Sequence, residues 1–162
     1  MPNLKTELKK KLKDATRIAV LGVGSELRCD DVAGLLVAEN LKKQLEKRKN
    51  PKAKIFIGYT APENLSGEII KYKPTHIIII DSADAGKKAG SIMLINYEEI
   101  GGISFSTHKL PLKMMVDYLL QSLKTGIVMI GIQPKTLKFG ECISKEVKKS
   151  IDQITKTILE II

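Results

Sequence analysis

The chain has 162 residues, a length that fits one domain. Hydrophobic residues make up 43% and charged residues 28%, which excludes a disordered protein. The net charge of +9 raises the possibility of nucleic-acid binding, but only three of the 27 basic residues are arginines and aromatic residues make up 4%. Arginine reads bases and aromatic rings stack on single strands, so we expect a solvated lysine-rich surface and no nucleic-acid partner.

The first segment with a helical pattern is basic. Leucines at positions 4, 8 and 12 predict a helix with a dense lysine face. Such a helix could lie on an anionic membrane or a partner, but three leucines offer little apolar area. We therefore expect residues 1–15 to form a solvated N-terminal extension without stable membrane association, and residues 16–162 to form a single α/β domain.

The remainder alternates between short apolar runs and amphipathic stretches. Continuously apolar runs predict strands buried on both faces, and they occupy Arg17–Gly24, Lys54–Gly58, His76–Asp81 and Gly126–Ile132, with a weaker edge strand at Ser91–Asn96. Amphipathic stretches predict helices over Asp31–Arg48, Lys109–Leu123 and Ser144–Ile162. This alternation predicts a mostly parallel, doubly wound sheet with helices on both faces.

Candidate site residues follow the predicted strands. In an open parallel sheet, ligands bind at the carboxyl ends of the strands, where Asp30, Asp31, Asp81 and His108 would meet. Two carboxylates and one imidazole suit a borderline divalent ion such as nickel or zinc.

Each of these residues also has a structural interpretation. Asp30 is placed to cap the helix that begins at Asp31, which we take as its role, and Asp81 could close an Asx-turn. His108 could cap a helix or pack against Met114–Met115, and His76 at the opposite edge is expected to be structural.

The glycines and cysteines exclude other chemistries. Gly22 and Gly24 begin a dinucleotide fingerprint, but Leu27 stands where the third glycine belongs, so a tight turn and close backbone approach explain them better. Cys29 and Cys142 lie 113 positions apart, which disfavours a disulfide framework and a zinc finger and suggests a reducing cytoplasm. No nucleophile motif is present, so a hydrolase would activate water with a metal or a carboxylate.

Five blocks, in order, resemble the [NiFe]-hydrogenase maturation endopeptidases, and most of all their HycI-type hydrogenase 3 branch. The blocks are Gly22–Gly34 (GVGSELRCDDVAG), Thr60–Asn64 (TAPEN), Pro74–Asp84 (PTHIIIIDSAD), Thr107–Leu112 (THKLPL) and Gly131–Pro134 (GIQP).

The resemblance implies a three-layer α/β/α sandwich and an endopeptidase that removes the C-terminal extension of a nickel-loaded hydrogenase large-subunit precursor. It assigns nickel ligation and catalysis to Asp31, Asp81 and His108, with the nickel supplied by the precursor and the protease a cytoplasmic monomer. Both an aspartic-type and a metal-assisted mechanism stay open.

Two positions depart from the family pattern. Ser25 stands where the family usually carries Asn, and Tyr59 stands where it usually carries Gly. These departures keep an alternative open, in which the protein binds the precursor in a nickel-dependent way as a checkpoint without cleaving it.

Overall fold

A computed structural model describes residues 3–49, 52–105, 111–140 and 142–162. In chain order its helices and strands are α1 (Leu4–Lys11), β1 (Ile18–Val23), α2 (Ala33–Arg48), β2 (Ala53–Tyr59), α3 (Ser66–Tyr72), β3 (His76–Asp84), β4 (Ile92–Ile95), β5 (Ser104–Phe105), α4 (Leu112–Ser122), β6 (Gly126–Ile132) and α5 (Lys145–Ile161). Short 3-10 helices cover Cys29–Val32, Pro62–Leu65 and Tyr97–Gly102.

The sheet is mixed and mostly parallel, as predicted. Its strand order is β2-β1-β3-β6-β4, and β5 pairs with the end of β3. The four neighbouring strands β2, β1, β3 and β6 run parallel, while β4 and β5 pair antiparallel to their neighbours. The predicted edge strand is therefore confirmed as β4, and the carboxyl ends of the parallel strands meet at one edge.

The isoleucine run of β3 separates two cores. Ile78 and Ile80 belong to the core beneath α1, α2 and α5, whereas Ile77 and Ile79 belong to the core beneath α3 and α4. Alternate strand residues point to opposite faces of a sheet, so a strand with helices on both sides must be apolar at every position. The three-layer sandwich is thus confirmed.

The basic N-terminal segment differs from the solvated extension that we expected. Residues Leu4–Lys11 are helical. Leu8 in this helix is fully buried, and Leu12, which follows the helix directly, is 6% exposed in the core shared with α5. Burying one leucine side chain contributes about 2 kcal/mol, and an ion pair of 2.7 Å joins Lys5 to Glu160. The apolar face of α1 is therefore occupied by the protein's own core.

Two elements were missing from the sequence prediction. Helix α3 has seven residues, too few to establish a helical period, and β5 has two. The predicted helix at Asp31 instead starts as a 3-10 turn, and α2 proper begins at Ala33. Among the helices in the described ranges, none is long and apolar enough to cross a membrane.

Candidate functional site

Two buried carboxylates lie at the carboxyl edge of the sheet. Asp31 lies in the 3-10 turn that follows β1, Asp81 lies in β3, and both side chains are 0% exposed. Ser82 donates a hydrogen bond of 2.6 Å from Oγ to Oδ1 of Asp31, which ties the turn to the strand that carries Asp81. The structure therefore places these two predicted residues at one edge.

The two carboxylates approach the end of β3 from different sides. Ser82 shares the strand face of Ile78 and Ile80, so Asp31 reaches β3 from the layer that contains α2. Asp81 shares the face of Ile79 and therefore points toward the layer that contains α4.

The third predicted ligand, His108, lies outside the described residues. Across the described ranges, no group of three His, Cys, Asp or Glu side chains is close enough to hold a metal ion.

Asp30 does not cap a helix, so that prediction was wrong. The turn Cys29–Val32 and helix α2 both lack a side-chain cap hydrogen bond. The fully buried carboxylate of Asp30 instead accepts hydrogen bonds from the backbone N–H groups of Lys135, Thr136 and Ser144, at 2.8, 3.2 and 2.7 Å, and from Oγ of Ser144 at 2.9 Å. Asp30 therefore anchors the loop between β6 and α5.

Ser144 links that anchor to the start of α5. Its Oγ accepts a hydrogen bond from the backbone N–H of Val147 at 3.3 Å and so caps α5. The same hydroxyl donates its proton to Asp30, so one serine satisfies both the helix end and the buried carboxylate.

The two cysteines form a disulfide, contrary to the prediction from their spacing. Cys29 and Cys142 are bonded, with their Cα atoms 4.4 Å apart. The backbone N–H groups of Cys29 and Gly140 donate to the carbonyls of Gly140 and Leu27, at 3.0 and 2.9 Å. Separation along the chain says nothing about distance in space, and here the loops after β1 and β6 meet directly beside Asp30.

Gly22 and Gly24 serve close backbone packing, as predicted, and Gly34, for which no role was predicted, does the same. A Cβ atom on Gly34 would lie 2.3 Å from the carbonyl oxygens of Ile80 and Val23, so α2 can approach the sheet only through glycine. Gly24 has φ +155°, and a Cβ there would lie 2.1 Å from the carbonyl oxygen of Asp31. These contacts fix the turn that carries Asp31 against the strand ends.

Gln133, for which no role was predicted, organises the loop after β3. Its side chain is 5% exposed, and Oε1 accepts hydrogen bonds from the backbone N–H groups of Ala85 and Lys87 at 2.9 and 3.1 Å. Nε2 donates to Oδ1 of Asp84 at 3.0 Å, and this bond, with a second from the Gly86 backbone, lowers the pKa of Asp84. Its position directly after β6 was the available signal.

His76 lies at the amino end of β3, away from the carboxylates, as predicted. Burial lowers the pKa of its imidazole, and the charge of Asp14 opposes that shift in part. A Cβ atom on Gly126 of the neighbouring strand would lie 2.9 Å from the ring, so His76 fills space at the sheet edge. Its role is structural.

Comparisons with known proteins agree with this architecture. The family model "HycI: Hydrogenase maturation protease" matches residues 35–161. A Methanocaldococcus jannaschii protein, whose name assigns it provisionally to the hydrogenase maturation proteases, is 39% identical over 98% of this chain and 96% of its own.

Two solved structures share the fold. The crystal structure of the [NiFe] hydrogenase maturation protease HycI from Thermococcus kodakarensis matches with a TM-score of 0.86 and 31% identity, covering 96% of this chain and 97% of that one. The solution structure of the endopeptidase HycI from Escherichia coli matches with a TM-score of 0.73 and 26% identity, over 86% and 87% of the two chains. On this evidence the chain belongs to the HycI family of hydrogenase maturation proteases and is an endopeptidase of hydrogenase maturation.

Proposed function

We propose that this protease removes the C-terminal extension of a nickel-loaded [NiFe]-hydrogenase large-subunit precursor, acting as a cytoplasmic monomer. The nickel belongs to the precursor and is recognised by Asp31, Asp81 and His108. The observation that carries the proposal is the pair of fully buried carboxylates at the carboxyl edge of the sheet. Family membership favours cleavage over a checkpoint protein that only binds.

The chemistry of these side chains suits a divalent cation carried by the substrate. A divalent cation bound at this edge of the sheet would interact favourably with both buried carboxylates. Oxygen and imidazole donors suit nickel, whereas the described cysteines are joined in a disulfide and offer no thiolate. Recognition of precursor-bound nickel would make cleavage conditional on metal insertion.

The carboxylates can also contribute directly to hydrolysis. An ionised aspartate can accept a proton from the attacking water, which adds to the scissile carbonyl carbon while the leaving amine takes up a proton. Alternatively, the precursor's nickel can polarise that carbonyl as a Lewis acid, and the aspartates then hold the metal. In both cases the Ser82 hydroxyl fixes the orientation of Asp31.

The test is cleavage of the nickel-loaded precursor followed by intact-mass spectrometry. We expect the wild-type protease to shorten the precursor, and Asp31→Asn, Asp81→Asn and His108→Ala each to slow cleavage at least about 100-fold. Asp152→Asn on the exposed face of α5 is the matched control and should cleave at the wild-type rate.

Two results would contradict the proposal. Wild-type rates in the three site variants would contradict the roles assigned to those residues. Equal rates of cleavage for nickel-free and nickel-loaded precursor would contradict the nickel dependence. Nickel-dependent association without loss of mass would instead support the checkpoint protein.

A further inference from the structure

We infer that Leu27, Tyr59 and Phe139 form an apolar rim around the turn that carries Asp31, and that this rim binds apolar side chains of the precursor's C-terminal segment. The inference rests on the proposed function and assigns residues that would select its substrate. The three side chains are 66%, 48% and 84% exposed.

Tyr59 holds a backbone conformation that a large side chain rarely adopts. Its φ is +50°, in the left-handed region that favours glycine. The ring is half exposed, so its hydrophobic burial offsets little of the backbone strain at this residue. Strain of this kind persists at sites where it serves function, and Tyr59 ends the strand beside the candidate site.

Backbone hydrogen bonds attach Tyr59 to the site itself. The N–H of Gly24 donates to the carbonyl of Tyr59 at 2.9 Å, and the N–H of Ser25 donates to the carbonyl of Asp31 at 3.1 Å. The position of the tyrosine is therefore set by the same turn that positions the catalytic carboxylate.

Leu27 and Phe139 lie on two loops that are fixed to each other. Gly140, next to Phe139, donates from its N–H to the carbonyl of Leu27 at 2.9 Å, and the disulfide between Cys29 and Cys142 joins the same loops. Two large apolar side chains are thus exposed to solvent on loops that a disulfide and a backbone hydrogen bond hold together. Exposed apolar surface of this kind marks interaction sites.

The position of the rim points to a polypeptide as its occupant. Tyr59 is the last residue of β2, and Leu27 and Phe139 lie in the loops after β1 and β6, so an extended segment lying across this edge would meet them while passing Asp31. Within the described ranges, no exposed large hydrophobic side chain lies on α1, α2 or α5, whose outer faces are rich in lysine. The occupant is therefore an apolar stretch of the substrate.

Tyr59→Gly separates a binding role from a structural one. Glycine adopts φ +50° without strain, so we expect the melting temperature of this variant to be unchanged or higher. The KM for the nickel-loaded precursor should rise about tenfold, the effect of losing one anchor residue, with a smaller change in kcat. Leu27→Ala and Phe139→Ala should raise KM in the same way.

Tyr118→Ala and Leu120→Ala are the matched controls, since both side chains are exposed but lie on α4. Their KM should stay at the wild-type value. An unchanged KM in the rim variants would overturn the binding role of the rim, while cleavage by the wild type would still support the proposed function. Absence of cleavage by the wild type would overturn the proposed function itself. A wild-type dimer that Phe139→Ala dissociates in sedimentation would also overturn the inference, because the occupant would be a second copy.

Discussion

The hydroxyl of Ser82 and the carboxylate of Asp31 form a buried hydrogen bond of 2.6 Å between β3 and the turn after β1. Because Asp81 precedes Ser82 directly, this one contact fixes the relative position of the two elements that carry the candidate carboxylates. A hydrogen bond to a charged group contributes about 1.5–3 kcal/mol, enough to determine the orientation of a side chain.

We therefore expect Ser82→Ala to slow precursor cleavage about tenfold or more, because Asp31 loses the donor that orients it. Ser82→Thr keeps the hydroxyl and should retain most of the rate. Rates of precursor shortening by mass spectrometry provide the measurement, with Ser91→Ala, which removes a hydroxyl from an exposed loop bond, as the control. Equal rates in Ser82→Ala and wild type would show that this bond does not position Asp31.

Asp30 should matter for stability. Asparagine in its place would turn an amide N–H₂ toward the donors from Lys135, Thr136 and Ser144 and leave at least one partly buried donor without an acceptor. We expect Asp30→Asn to lower the free energy of unfolding by about 2–4 kcal/mol, measured by urea denaturation. Asp152→Asn on the surface should change it by less than about 0.5 kcal/mol, and a similarly small loss in Asp30→Asn would contradict the anchor role.

The disulfide is a second, independent link between the same loops. Cys29 and Cys142 are 113 positions apart, and the chain-entropy model assigns a cross-link over such a separation at most about 4–5 kcal/mol. Reduction or the double variant Cys29→Ser/Cys142→Ser should therefore lower the melting temperature by several degrees. The double variant should show no further decrease with reductant, and if wild type melts at one temperature with and without reductant, the bond contributes nothing.

Much of the architecture was predictable because it depends on local apolar patterns. The isoleucine run at Ile77–Ile80 predicts a strand covered on both faces, and strand alternation with helices predicts a parallel sheet whose edge collects Asp31 and Asp81. Those inferences need only the period of the sequence and the rules of sheet topology.

The contacts that rest on loop geometry were not predictable. Asp30 precedes a helical pattern, as capping residues do, and nothing in that pattern reveals a partner as far along the chain as Ser144. The disulfide between Cys29 and Cys142 could not be predicted for the same reason, since two loops separated by most of the chain meet only in the folded protein.

His76 should make stability depend on pH near neutrality. Burial lowers the pKa of its imidazole in the folded state below the ordinary value of 6.5, so between the two values the unfolded chain binds more protons. The free energy of unfolding should therefore fall as the pH drops through 6.5 and be fully regained above about 7. His76→Gln should show a smaller loss between pH 7.5 and 5.5 in urea denaturation, and identical losses in both proteins would contradict this role.

The close approach of α2 to the sheet predicts opposite effects for two glycine substitutions. At Gly34 a Cβ atom would lie 2.3 Å from two backbone carbonyl oxygens, which cannot move without shifting β1 and β3, so Gly34→Ala should cost about 3 kcal/mol or more. At Gly67, inside α3, a Cβ meets nothing within 4 Å, and Gly67→Ala should stabilise the protein by about 0.4–1 kcal/mol.

Urea denaturation of the two variants measures both effects on one scale. Helix propensity alone would make both substitutions stabilising, so opposite signs would show that the Gly34 contact outweighs it. If the free energy of unfolding of Gly34→Ala lies within about 1 kcal/mol of the wild-type value, α2 can move away from the strand ends. In that case the turn that carries Asp31 would not be fixed by this packing, and the orientation of Asp31 would depend on Ser82 instead.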